Sequence, residues 1–237
     1  ESATEETESE TPTETETESE TETEETTEEE TEGPGDPVDR EKVETHLIIA
    51  SDTHYMSPSM TDYGAAFDSL VNSNDGKVIR YQPQLWQAFK SEVLAANPDA
   101  LILSGDLSLN GEKANHLEFS EKLREIEEAG VPVYVIPGNH DINKPDAGEY
   151  FGDQRTDVES VTSEEFREIY ADFGYNEAKS GAPDSLSYLV ELNDTTWLMM
   201  LDTTVCEPEN EVYGEIKEGT LEWMEECLKE AYAEGIT

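Results

Sequence analysis

Val131-Pro132-Val133-Tyr134-Val135-Ile136-Pro137-Gly138-Asn139-His140-Asp141 passes from an apolar run into a turn loaded with polar chemistry. The run up to Ile136 is rich in β-branched residues and reads as a buried strand. Gly138 permits a sharp turn with close backbone approach. An amide, an imidazole and a carboxylate follow, side-chain types that bind hard or borderline metals or work beside them.

Two earlier segments repeat this design. His46-Leu47-Ile48-Ile49-Ala50 reads as a strand that ends at Ser51-Asp52-Thr53-His54, and Ala100-Leu101-Ile102-Leu103 as one that ends at Ser104-Gly105-Asp106. Between the first and second strands, Leu85, Trp86, Phe89, Val93 and Leu94 recur at helical spacing over Gln82 to Ala96, stopped by Asn97-Pro98. A shorter helix is expected around Ala65 to Val71, and a turn at Asn74-Asp75-Gly76. Between the second and third strands a helix is expected from about Glu112 to Ala129, with Phe119, Leu123 and Ile126 on its inner face. Two β-α-β units imply parallel strands joined by right-handed crossovers.

The carboxyl ends of parallel strands converge on one crevice, so Asp52, His54, Asp106, Asn139 and His140 should meet. Two carboxylates, an amide oxygen and a histidine suit Mn, Fe or Zn better than Ca. A carboxylate in the middle can bridge two ions, and such a pair can activate water while holding a phosphate oxygen. His140 would then serve as a general acid or electrostatic partner.

These residues resemble the first three motifs of the calcineurin-like metallophosphoesterase superfamily: Asp52-x-His54, Gly105-Asp106-Leu107-Ser108-Leu109-Asn110-Gly111 and Gly138-Asn139-His140-Asp141. Asp52-Thr53-His54-Tyr55, Asn110-Gly111-Glu112, Ser187-Tyr188 and Leu201-Asp202 are further similar to a bacterial branch described as cyclic nucleotide phosphodiesterase-like. The resemblance spans residues 45 to 237. It implies a layered α/β/β/α sandwich holding two divalent or trivalent transition-metal ions (Mn, Fe or Zn). Asp52 and His54 would bind the first ion, Asp106 would bridge both, Asn139 would bind the second, and His140 would sit by the leaving-group oxygen. The family's later histidine motifs have no counterpart after Asp141, where no further histidine occurs. They are expected beyond Thr237, making the chain the N-terminal part of the domain, with little turnover on its own.

The rest of the chain fits one such domain. Residues 142 to 161 read as a long polar loop, Ser163 to Phe173 as a helix with Ser163 as its N-cap, and Ser185–Leu192 with Thr196–Leu201 as an antiparallel hairpin around Asn193-Asp194-Thr195. A last helix from about Thr220 to Ala233 carries Leu221, Trp223, Met224, Cys227 and Leu228, is capped by Gly235, and leads into Ile236-Thr237 as the opening of a strand. Trp86, Trp223 and the Met199-Met200 pair fit core positions, and Tyr55 fits either packing or a pocket wall. His46 and His116 are expected to be structural, His116 by orienting neighbouring groups. Cys206 and Cys227 fit two separate thiols better than a disulfide.

Charge bounds the partners. The 237 residues carry a formal net charge of −44, and residues 1–32 alternate Glu with Thr and Ser without a single Lys or Arg. Such a segment cannot offset its ordering entropy by burial, so residues 1–40 are expected to be a disordered tail and linker ahead of a domain at 41–237. The acidic body argues against a nucleic-acid duplex as partner, whose backbone is gripped by Lys and Arg. It leaves room for a small phosphoester substrate, because a bound metal reverses the local sign. No apolar run is long enough to span a membrane. The tail and the start at Glu1 suggest an exported, extracellular or cell-surface protein of bacterial type, expected to be a monomer, with a lipid or cell-wall anchor upstream. The competing reading is a non-catalytic acidic surface module that keeps the fold without a complete site.

Overall fold

The computed structural model describes residues 37–73, 76–207 and 210–237. The expected disorder of the acidic tail and the turn at Asn74-Asp75 lie outside those residues. Strands β1 (Leu47–Ala50), β2 (Ala100–Ser104) and β3 (Val133–Ile136) form a parallel sheet in that order, with Leu47 opposite Ala100 and Leu101 opposite Val133. The first four β2 residues and all of β3 are buried, as a strand covered on both faces must be.

The connections supply one covering layer. Helix α1 (Ala65–Ser73) and helix α2 (Gln82–Ala96) lie between β1 and β2, and helix α3 (Lys113–Glu127) between β2 and β3. Trp86 and Val93 of α2 and Phe119, Leu123 and Ile126 of α3 pack into the core of the parallel sheet. Asn97 closes α2 in the left-handed conformation (φ 45°), where its N–H reaches Val93 O. Leu85 shares the apolar spacing of that helix but is 48% exposed, a departure from its expected inward position.

Residues 142–161, expected as an irregular loop, instead contain an antiparallel hairpin of β4 (Gly148–Phe151) and β5 (Gln154–Asp157), turned at Gly152 (φ 60°). Tyr150 anchors it in a small second core with Met56, Met60, Phe67 and Leu109. Helix α4 (Ser163–Ile169) starts where expected, but its N-cap is Thr162 rather than Ser163. Thr162 Oγ1 accepts from Glu165 N while Glu165 Oε2 accepts from Thr162 N, a reciprocal capping box. The helix ends earlier than Phe173, where Phe173 (ψ 53°) and Gly174 (φ 111°) break the helical path.

The second sheet runs β6 (Ser180–Gly181), β7 (Tyr188–Asn193) and β8 (Thr196–Met200), all antiparallel. Tyr188, Val190 and Met200 face the core of the parallel sheet, and Tyr188 Oη donates to Val135 O at 2.8 Å. Leu189 and Met199 point the other way, onto Trp223 and Cys227 of α5 (Glu218–Glu234). The order is therefore helices, parallel sheet, antiparallel sheet, helix: the expected α/β/β/α sandwich. Leu221 and Leu228 of α5 are 51% and 59% exposed, so the buried stripe of that helix is narrower than its spacing suggested. Thr237 donates to Thr195 O and accepts from Trp197 N, the pairing pattern of a strand opening alongside β8. Both cysteines are free thiols. Among the described residues no helix is long and apolar enough to cross a membrane.

Candidate metal centre

The turns after β1 and β2 are laced together by main-chain bonds. Asp52 N donates to Gly105 O, His54 N to Asp106 O and Tyr55 N to Leu107 O, at 3.1, 2.9 and 2.8 Å. Holding this path requires Asp52, His54 and Asp106 in the left-handed region, at φ 56°, 41° and 52°. Non-glycine residues avoid that region, and such strain gathers at functional sites.

The turn after β3 is held by Asp141. Its fully buried carboxylate accepts from Leu107 N, Ser108 N, Ser108 Oγ and Gly138 N, at 3.1, 2.8, 3.1 and 2.8 Å. Burial pushes this carboxyl up, to about 7, while the three N–H donors pull it down. His116 supports the same turn: Nε2 bonds Asp141 O and Nδ1 bonds Tyr170 Oη, both at 2.9 Å, inside a fully buried pocket. Its expected structural role is what the structure shows. Gly138 passes so close to the second turn that a Cβ there would lie 2.3 Å from both Asp106 N and Asp106 Oδ1.

These turns bring three side chains into one cluster. One oxygen each from Asp52 and Asp106 and one ring nitrogen of His54 all lie within 4.8 Å of one another. His54 Nε2 is 3.6 Å from Asp52 Oδ1 and 3.7 Å from Asp106 Oδ2. Burial and the nearby Lys77 hold the imidazole below its ordinary value, the neutral form a metal ligand needs. His54 Nδ1, the ring nitrogen turned away from the carboxylates, is buried without a hydrogen-bond partner among the described residues. Asn139 joins Asp52 and Asp106 in lining a cavity of about 360 Å³. The set of carboxylate, imidazole and amide donors fits a borderline divalent cation.

His140 sits beside this cluster, its ring 4.9 Å from that of His54. Its Nδ1 lies 3.0 Å from Leu109 O and 2.8 Å from Asn110 Oδ1, and its Nε2 lies 3.4 Å from Lys77 Nζ. A lysine ammonium can only donate, so the proton of the ring is on Nδ1 and the Nε2 lone pair faces Lys77. Tyr55, by contrast, is packing: it stacks on Phe119 and donates to Glu118 Oε1 at 2.6 Å.

Residues 45–233 match the family model described as calcineurin-like phosphoesterase. The chain belongs to the calcineurin-like phosphoesterase family. No curated protein matches it. Membership identifies a metal-dependent phosphoester hydrolase domain, a class that binds divalent metals, and the Asp52-His54-Asp106 cluster is where such an ion fits. Two features of this calcineurin-like phosphoesterase site were not foreseen from its motifs. Asp141 reads from the sequence as a carboxylate of metal-site type, and its actual part in bracing two turns becomes visible only once the turns meet. Lys77 carried no signal at all, as a single cation after a turn belongs to no pattern.

Proposed function

We propose that the domain hydrolyses phosphodiesters, cyclic nucleotides or related esters among them, using two transition-metal ions. The observation that carries this reading is the convergence of Asp52, His54 and Asp106 at the carboxyl ends of β1 and β2. Asp52 and His54 would hold one ion, Asp106 both, and Asn139 the other. The bound ions would supply Lewis acidity toward phosphoryl oxygen and acidify water at the site. The strained turns orient the three ligands before substrate arrives, so little reorganisation accompanies binding. His140, with Nδ1 tied to Leu109 O and Asn110 Oδ1, presents Nε2 toward the side where the leaving oxygen would lie.

The test is turnover of bis-p-nitrophenyl phosphate by the full-length protein, with Mn and with chelator. Mn-dependent hydrolysis that Asp106→Ala abolishes is the expected result. A folded protein inert on diesters and monoesters overturns it and favours the non-catalytic surface module, whereas an Asp106→Ala variant as active as the parent rejects hydrolysis centred on this metal cluster. The Glu/Thr-rich segment supports an extracellular or cell-surface location, which fractionation of the native host would check.

A further inference from the structure

Outside the ligand cluster lies a second cavity, of about 460 Å³, whose wall combines Asp52 and His54 with Lys77, Val78, Gln82 and Leu85. It shares Asp52 with the first cavity and opens on the side where His140 Nε2 faces Lys77 Nζ. Its chemistry is mixed in an ordered way. Lys77 stands on the inner side next to the ligands, half-buried, while Val78 and Leu85 form an apolar rim, 54% and 48% exposed. Both apolar side chains stay open to solvent at the cavity wall and can be covered by an apolar group entering it.

The charge is as specific as the shape. The chain has 14 basic residues against 58 acidic ones. Even so, two lysines bear on His140: Lys77 is within contact distance of its ring, and Lys144 adds positive charge from a side chain only 11% exposed. Lys144 is already met by Asp146 at 3.9 Å, whereas Lys77 has no carboxylate within ion-pair distance among the described residues and keeps its ammonium donors open to an incoming anion. Gln82 fixes this wall to the ligand turn, its Nε2 donating to Thr53 O at 2.7 Å and His54 O at 3.2 Å.

We propose that this second cavity is the substrate subsite, with Lys77 binding a phosphoryl oxygen beside His140 and the Val78–Leu85 rim receiving an apolar or aromatic ester group. The inference rests on the phosphoester reading and names the chemistry that the subsite selects: an anionic phosphoryl group carrying a flat or apolar substituent. An ammonium suits the first part because it supplies charge-assisted donation to oxygen without a fixed fork geometry.

A crossed pair of variants tests it in the Mn-loaded protein. Lys77→Gln should raise KM for bis-p-nitrophenyl phosphate about tenfold, the scale of one lost charge-assisted hydrogen bond, with kcat changed far less. It should weaken inorganic phosphate, measured by calorimetry, by a similar factor, and Lys77→Arg should restore most of both. Leu85→Ser, on an exposed helix face, should raise KM for the aryl ester while leaving phosphate affinity unchanged. Wild-type hydrolysis with an unaltered KM and phosphate affinity in Lys77→Gln overturns the subsite. Absence of wild-type hydrolysis overturns the catalytic reading instead, and the phosphate titration then decides Lys77 by itself: equal binding by wild type and Lys77→Gln rejects it as an anion ligand.

Discussion

The backbone N–H of His140 donates to Asp106 Oδ1 at 2.9 Å, so the turn after β3 is registered against a side chain of the turn after β2. The other oxygen, Oδ2, faces His54. One carboxylate thus does two jobs, and they can be separated. Asp106→Asn keeps an acceptor for His140 N but loses the charge. It should cost about 1 kcal/mol of stability or less, the worth of an ordinary hydrogen bond. Mn affinity should fall by more than about tenfold, since even partners outside the ligand set are worth roughly 10–100-fold. A thermal melt and a Mn titration on the same sample check the two halves.

Asp141 presents the opposite case, a carboxylate that works only on the fold. Asp141→Ala leaves Leu107 N, Ser108 N and Gly138 N without their acceptor in a fully buried place. Each orphaned donor costs about 1–3 kcal/mol, so a loss of at least about 3 kcal/mol is expected. Urea denaturation should show the midpoint shifted with its slope unchanged, and a variant within error of wild type would remove Asp141 from its assigned role.

Gly138→Ala should be destabilising although alanine is small. Its Cβ would meet Asp106 N and Oδ1 at 2.3 Å, and backbone atoms cannot move aside as a flexible side-chain end can. The expected cost is about 1–3 kcal/mol, the range for overpacking, together with weakened Mn binding because Asp106 is displaced. Alanine tolerated in both respects would mean that the two turns separate more readily than their packing implies.

Glu127, near the end of α3, provides a pH signature away from the centre. Burial, followed by the nearby Glu177 and Asp172, raises its carboxyl from 4.5 to about 7, against the opposing pull of Val133 N–H. Between those values the folded protein holds a proton that the unfolded chain has released. Stability contributed by this residue is therefore present below about 4.5 and is lost as pH rises through 7. Glu127→Gln should melt higher than wild type at pH 8, by roughly 2 °C on the scale expected for a domain of this size, and the two curves should converge near pH 4. A constant offset across pH would assign the difference to packing.

The parts of this protein most readable from its residues were those where burial writes a continuous signal. β1, β2 and β3 are short apolar runs each ending in ligand-type residues, and α2 spans the Gln82–Ala96 segment that periodicity outlined. The β4–β5 hairpin escaped because β5 is exposed along its whole length, leaving no alternation to read. The cap of α4 is Thr162 rather than Ser163; both are good caps, and only the reciprocal bond of Glu165 chooses between them. Leu85 lies within the helix its spacing outlined, but it is 48% exposed at the wall of the second cavity. Lys77 and Asp141 depend on which turns meet, information that local pattern does not contain.

The left-handed backbone at Asp52, His54 and Asp106 sets stability and chemistry against each other at the same three positions. A non-glycine residue there gives up about 1 kcal/mol or more, and glycine would recover part of it. Replacing any of the three by glycine should thus relax the chain while deleting a ligand. At these three positions the chain gives up backbone stability to bring two carboxylates and an imidazole together.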